Sequence, residues 1–356
     1  MDPSTLRLQF KCVNTTAAQQ LLLQGGAHSL FSMVRLLIGG TEVERIEHYN
    51  RTHHLFRFVL QPPDWNVNQA CEDGGAYDES LFPPVKPKPI AGNAYAMLSL
   101  QPMLGLLSCN RYIPLRYANG VVLEFTLASP DDALAAAPAS ASRTYNVEQA
   151  ELRYSTVRLD SALEAGFASL LMQNRSLSMN FKTVISQTAT IPAGATEFSA
   201  SVVRALSRVA AVFVSFFGTA DAVKHPLRFH NPSDEAAGVK TMQAKLQVGG
   251  KTWPEHAPIQ SQAEAFSYLR QALNIYSSNE HAVSITPDQY DQDRFCLGFP
   301  TSIIPGTPFS SISTRSGDLL SVVCKNLDAS SAARMQIAMV AEVILEISSG
   351  GTTLLE

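Results

Sequence analysis

Leu6-Arg-Leu-Gln-Phe-Lys-Cys12 and Leu177-Ser-Met-Asn-Phe-Lys-Thr183 decide the fold class. In each, apolar residues alternate with polar ones, and such a period of two is the mark of a strand with one face buried. In the first, Leu6, Leu8, Phe10 and Cys12 share one face while Arg7, Gln9 and Lys11 share the other. The two segments carry Phe-Lys at the same place, which suggests that one architecture occurs twice.

Further matches follow in the same order. Val34-Arg-Leu-Leu-Ile-Gly-Gly40 and Ala244-Lys-Leu-Gln-Val-Gly-Gly250 each run a strand into a double glycine, and Gly-Gly supplies the positive φ angles of a tight hairpin. Each is followed by an amphipathic segment, His53–Phe58 or Ala263–Arg270, for which a short helix is expected. Asn119–Leu127 then matches Ser316–Cys324, and the strand around Glu151–Leu159 matches Met335–Ile347. The first three matches lie 171, 210 and 197 residues apart, as strands joined by loops of different length would.

Between the copies, Asp160–Gln173 reads as a connecting helix, with Ser161 and Glu164 at capping-box spacing; Ser261 and Glu264 repeat that spacing before the second amphipathic segment. The expected organisation is a first sandwich over 1–160, a connecting helix over 161–174 and a second sandwich over 175–356. Alternation nominates Leu6, Phe10, Ile38, Leu123, Phe125, Phe181, Val248, Met339 and Leu345 as core. Gln61–Asn93 and Ala128–Arg143, rich in Pro, Gly, Ala and acidic residues, read as exposed loops. The stretch between Ile191 and Val239 reads as an insertion with a strand at Ala210–Phe217 and a polar turn at Asn231–Asp234.

Composition narrows the class. A chain of 356 residues that is 46% hydrophobic and 16% charged has enough apolar surface for two cores. Its net charge of −4, with only Arg7 and Lys11 as cations in the first thirty residues, provides no basic arm for nucleic acid. No apolar run has the length of a membrane span and the N-terminus lacks the order of a signal peptide, so a reducing compartment is expected. Cys12, Cys71, Cys109, Cys296 and Cys324 are odd in number and widely spaced, which argues against structural disulfides or a zinc knuckle. The sequons at Asn14, Asn50 and Asn174 are read as chance.

Four groupings invite chemistry. Glu44, Glu47, His48, His53 and His54 could in principle hold a metal, but H-E-x-x-H is absent and adjacent histidines point in different directions, so an interface or solvated segment is expected. Asp288, Asp291 and Asp293 lack the central Gly and terminal Glu of a calcium loop, and with Asp131-Asp132 read as solvated acidic turns. Trp65 and Trp253 beside Pro-rich turns read as partly buried anchors, and Phe213, Phe216 and Phe217 as core with one contact residue. No G-x-S-x-G elbow or phosphate loop occurs, so no catalytic, cofactor-binding or metal residue is expected.

The order of these motifs, with Ile38–Tyr49, Asn110-Arg-Tyr-Ile-Pro-Leu115 and Thr314–Leu320, resembles the double jelly-roll major capsid proteins of the adenovirus, tectivirus, virophage and polinton-like lineage. The resemblance implies an all-β chain of two tandem eight-stranded jelly-roll sandwiches with short connecting helices. It further implies a pseudo-hexameric homotrimer tiling an icosahedral shell in the virion, with penton and minor capsid proteins as partners, in places an internal membrane beneath, and no enzymatic activity or cofactor. Two rival readings are a two-domain carbohydrate-binding sandwich and, behind it, a cupin-like metal enzyme.

Overall fold

A computed structural model describes residues 1–23, 25–60, 71–74, 89–134, 141–218, 227–233, 242–275, 283, 285–292, 294–304, 307, 309–315, 318–328 and 333–355. The chain opens with β1 (Asp2–Asn14), β2 (Phe31–Ile38), β3 (Thr41–Glu47) and helix α1 (Tyr49–Leu60). It continues through β4 (Tyr95–Leu100), β5 (Val121–Leu127), the single turn α2 (Pro130–Ala133), β6 (Tyr145–Ser155) and α3 (Ser161–Met172). The second half holds β7 (Leu177–Thr190), β8 (Glu197–Val202), β9 (Val209–Phe217), β10 (Gln243–Val248), β11 (Lys251–Trp253) and α4 (Gln262–Ala272). It ends with α5 (Pro287–Gln292), β12 (Cys296–Pro300), β13 (Leu320–Lys325), β14 (Arg334–Ser348) and β15 (Gly351–Leu355).

The second half is a jelly roll. One sheet runs β7-β14-β9-β12 and the other β8-β13-β10-β11, every pairing antiparallel. The first half repeats the pattern in β4-β1-β6 and β3-β2-β5, whose order corresponds to β12-β9-β14 and β11-β10-β13. Both double glycines turn two-residue hairpins: Ile38 pairs Thr41 across Gly39-Gly40 (φ 58° and 81°), and Val248 pairs Lys251 across Gly249-Gly250.

This pairing corrects the opening equivalence. β1 lies between β4 and β6, Leu8 facing Leu100 and Leu152, and the strand in that place in the second half is β9, whose Val214 faces Leu297 of β12 and Ile337 of β14. β7 is therefore not the repeat of β1. The two share an alternation because both have one buried face, and alternation carries no information about which strands are neighbours.

The two cores exchange elements. β14 is paired by β7 along its whole length, while its other edge takes β9 first and β15 afterwards. The far end of this ribbon leaves the second sandwich, so Met179, Phe181, Val343, Leu345 and Ile347 pack in the first core. Reciprocally, Leu55, Phe56, Phe58 and Val59 of α1 pack in the second core. α1 lies on the sheet face of β9 and β14: Phe56 meets Phe213 edge-on at 5.3 Å, Arg51 stacks on Phe217 at 4.7 Å, and Gln336 Nε2 donates to Thr52 Oγ1 at 2.7 Å. All nine residues of β9 are buried for this reason, including Phe213, Phe216 and Phe217, so none of the three is the expected contact residue. α4 covers the same sheet at β12, where a Cβ on Gly298 would sit 2.7 Å from the Leu269 backbone.

Of the nominated core, Leu6, Phe10, Ile38, Phe181, Val248, Met339 and Leu345 are buried, whereas Leu123 and Phe125 are half-exposed. The Ser261–Glu264 cap forms, the Glu264 amide donating to Ser261 Oγ at 3.2 Å and the Gln260 amide to Glu264 Oε2 at 3.0 Å. The first expected cap does not: α3 starts from Asp160 without a side-chain hydrogen bond, and Glu164 pairs with Arg116 at 2.9 Å. Most of the expected loop Gln61–Asn93, including Trp65, lies outside the described residues, as do Asp234, Asp293, Ser316 and Gly317, while the expected exposed loop Ala128–Arg143 is described at 128–134 and 141–143, where it forms α2 and buries Ala128, Ala133, Leu134, Ala141 and Ser142 against the first half. No helix among the described residues is long and apolar enough to cross a membrane.

Candidate functional sites: a buried histidine cluster and the exposed faces

The expected histidine segment is neither solvated nor a set of converging ligands. Glu44 is buried in β3 and its carboxylate accepts the amides of Gly105 at 2.8 Å and Leu106 at 2.9 Å, capping the turn Leu106–Ser108. Burial raises its carboxyl to about 7 despite these bonds. Glu47 is exposed and pairs with Arg45 at 2.7 Å. His48 faces Thr188 Oγ1 at 3.1 Å.

His53 and His54 are buried on α1 and both meet His28, which pattern reading passed over. The His28 ring stacks on His53 at 4.4 Å and on His54 at 5.4 Å, and His28 Nε2 lies 3.2 Å from His54 Nδ1. Tyr49 Oη accepts the Met103 amide at 2.8 Å, which leaves its own proton for His53 Nδ1 at 2.9 Å. Helical periodicity explains the arrangement, since Tyr49, His53 and Arg57 recur every four residues on one stripe. Arg57 closes the cluster with a buried ion pair to Asp73 at 2.6 Å and a bond to Gly25 O at 2.7 Å. The adjoining Gly25-Gly26 has positive φ, and a Cβ there would meet His54 at 2.7 Å or Asp73 at 2.6 Å. Burial, then the charge of Arg57, brings His53 down to about 3, and burial foremost holds His28 and His54 well below the ordinary range. Among the described residues no group of three or more His, Cys, Asp or Glu side chains is placed to hold a metal.

The other nominated groups have local roles. Asp291 Oδ1 accepts from Asn231 Nδ2 at 3.1 Å and from Gln262, tying α5 to α4. Asp132 pairs with Arg51 at 2.7 Å and Asp131 with Arg143 at 2.6 Å. Trp253 is partly buried against the second core.

A cavity of about 540 Å³ opens between the lobes, lined by Phe56, Met103, Phe213, Val340, Lys182 and Glu342. At its wall the lobes touch closely, for a Cβ on Gly105 would lie 1.7 Å from Lys182 O. Several large apolar side chains of the first half and of α3 are exposed. α3 buries none of its residues although Leu163 and Met172 lie on it, and Tyr95, Met97, Leu152, Tyr154 and Val157 are also exposed.

No family model matches the chain, and no curated protein matches it. Solved structures do. PBCV-1 VP54, fitted into a reconstruction of the virophage Sputnik, matches with a TM-score of 0.62 at 13% identity, over 99% of this chain and 90% of that one. The Faustovirus major capsid protein matches at 0.61 with 8% identity, over 97% and 85%. A chain of the Sputnik virophage matches at 0.59 with 9% identity, over 99% and 82%. The chain thus has the double jelly-roll fold of these viral proteins.

Proposed function

We propose that the chain is a major capsid protein, a structural component of a virion and not an enzyme. The observation that carries the reading is the full-length match of both sandwiches to viral capsid structures. Two similar sandwiches locked side by side give one subunit two lobes, so three subunits about a threefold axis surround it with six. Such a pseudo-hexameric trimer tiles a hexagonal lattice and, with fivefold corners, an icosahedral shell. The apolar residues that the lone subunit exposes on α3 and β6 are the kind of surface that assembly covers.

In this reading residues 1–160 and 175–356 are the two repeats and 161–174 the connector. The presence of all of α3, unburied, between β6 and β7 supports that division. Penton and minor proteins close the vertices, and a membrane, where present, lies beneath the shell. The weakly acidic balance leaves genome condensation to other components.

Light scattering of the purified protein, followed by electron microscopy of the same peak, tests the proposal. A species of three times 38.6 kDa with a hexagonal outline is expected. A monodisperse monomer that forms no shells would overturn it, and glycan binding by that monomer would favour the carbohydrate-binding alternative.

A further inference from the structure

The cavity between the lobes has a built floor. Val184 of β7, Val340 of β14, Ala211 of β9 and Pro300 of β12 stand side by side across the four strands of one sheet, and all four line it. β9 makes the floor low. Ala210 and Ala211 are small, and Ala210 is the extra residue of a bulge between the pairs Ala341–Val209 and Val340–Ala211. α1 covers this sheet face at Phe213 and α4 covers it at Gly298. The ends of those helices, with Leu60 and Leu273, and the segment at Met103 wall the space between.

The hollow has the chemistry of a ligand site. At about 540 Å³ it falls within the range of small-molecule pockets, about 300–1,000 Å³. The chain does not itself cover the apolar walls, for Met103, Val184, Val340 and Leu273 are only partly buried. The next pair along the same face is Lys182 opposite Glu342, and the two differ in what they offer. Glu342 is buried, and its Oε2 accepts from the Phe309 amide at 2.7 Å and from Ser311 Oγ at 3.3 Å. Lys182 is exposed and has no ion pair or side-chain hydrogen bond among the described residues. A cation with free donors beside an apolar hollow is complementary to an anionic head on an alkyl tail. The neighbouring Glu342 carboxylate favours a head of single charge over a phosphate.

We infer that the cavity binds a single-chain alkyl monocarboxylate, its tail on Val184, Val340 and Ala211 and its carboxylate on the Lys182 ammonium. Because α1, the segment at Met103 and the second sandwich each supply a wall, the occupant binds only the joined lobes and stabilises them by mass action. The site belongs to the single subunit and does not depend on what the chain assembles into.

The probe is sodium decanoate below its micelle-forming concentration, titrated calorimetrically into the full chain, with the melting temperature read on the same samples. The expected result is saturable binding of one decanoate per chain and a rise in melting temperature. Lys182→Gln, at an exposed site, keeps the melting temperature of the free chain and weakens decanoate about tenfold while leaving decan-1-ol unchanged. Val340→Phe, which fills the floor, abolishes binding of both. Absence of saturable binding overturns the inference, as does binding of many molecules per chain, which marks surfactant adsorption. Equal affinity of the natural chain and Lys182→Gln for decanoate overturns the carboxylate assignment. Binding that survives Val340→Phe, shown folded by its circular dichroism, puts the tail elsewhere and overturns the site.

Discussion

Acidification should loosen the joint between the lobes, and the magnitude follows from the histidine cluster. His53 is held near 3 in the folded chain, against an ordinary 6.5. A lowered value means stability that is present above pH 6.5 and lost as the pH falls toward 3, because the unfolded chain takes up a proton that the folded one refuses. At about 1.4 kcal/mol per pKa unit, moving from pH 7 to pH 5 costs about 2 kcal/mol for His53. His28 and His54 are also lowered, by burial first and then by neighbouring charges, so they add to the loss in the same direction. Glu44 acts in the opposite sense. Its raised value contributes stability below pH 4.5 that is lost as the pH rises through about 7, so acidification returns about 2 kcal/mol. His53 and Glu44 nearly offset each other, so His28 and His54, both lowered, tip the balance toward loss on acidification. Urea unfolding at pH 7 and pH 5 measures it for the natural chain and for His53→Gln. The variant is weaker at pH 7, since the residue is buried, but loses about 2 kcal/mol less between the two pH values. Parallel pH dependence in the two proteins would refute the reasoning.

Other perturbations separate structural roles. Asp73→Ala strands the buried Arg57 charge and should cost about 3 to 5 kcal/mol in denaturant titration. Phe10→Ala should cost about 3 to 5 kcal/mol, while Phe125→Ala, half-buried against the first core, should cost about half of that; equal costs would mean that Phe125 is as fully buried as Phe10. Gly105→Ala should lower the melting temperature by several degrees, since its Cβ collides with the Lys182 carbonyl and pushes β7 away. Ser261→Ala should cost about 1 kcal/mol by removing the cap of α4.

Much of the fold was legible because it is local. Alternation marked β1, β2, β7, β10 and β14, double glycines marked both hairpins, and Ser261 with Glu264 marked the start of α4. These signals depend on backbone geometry within a few residues. What alternation cannot express is partnership. It made β7 the apparent twin of β1, and only the ladders that set β1 between β4 and β6, as β9 is set between β12 and β14, show that β9 is. It named Leu123 and Phe125 as core from the face they share, but burial also depends on whether a strand lies alongside, as β8 does beside β13. For the histidines, the sequence showed His53 and His54 as neighbours on a helix. The third ring, His28, and the ion pair with Asp73 come from segments brought together only by packing. The sequence by itself therefore determined the elements and their turns, which short-range sterics dictate. The tertiary structure decided which strands pair and which core each side chain joins, because those depend on contacts between residues far apart in the chain.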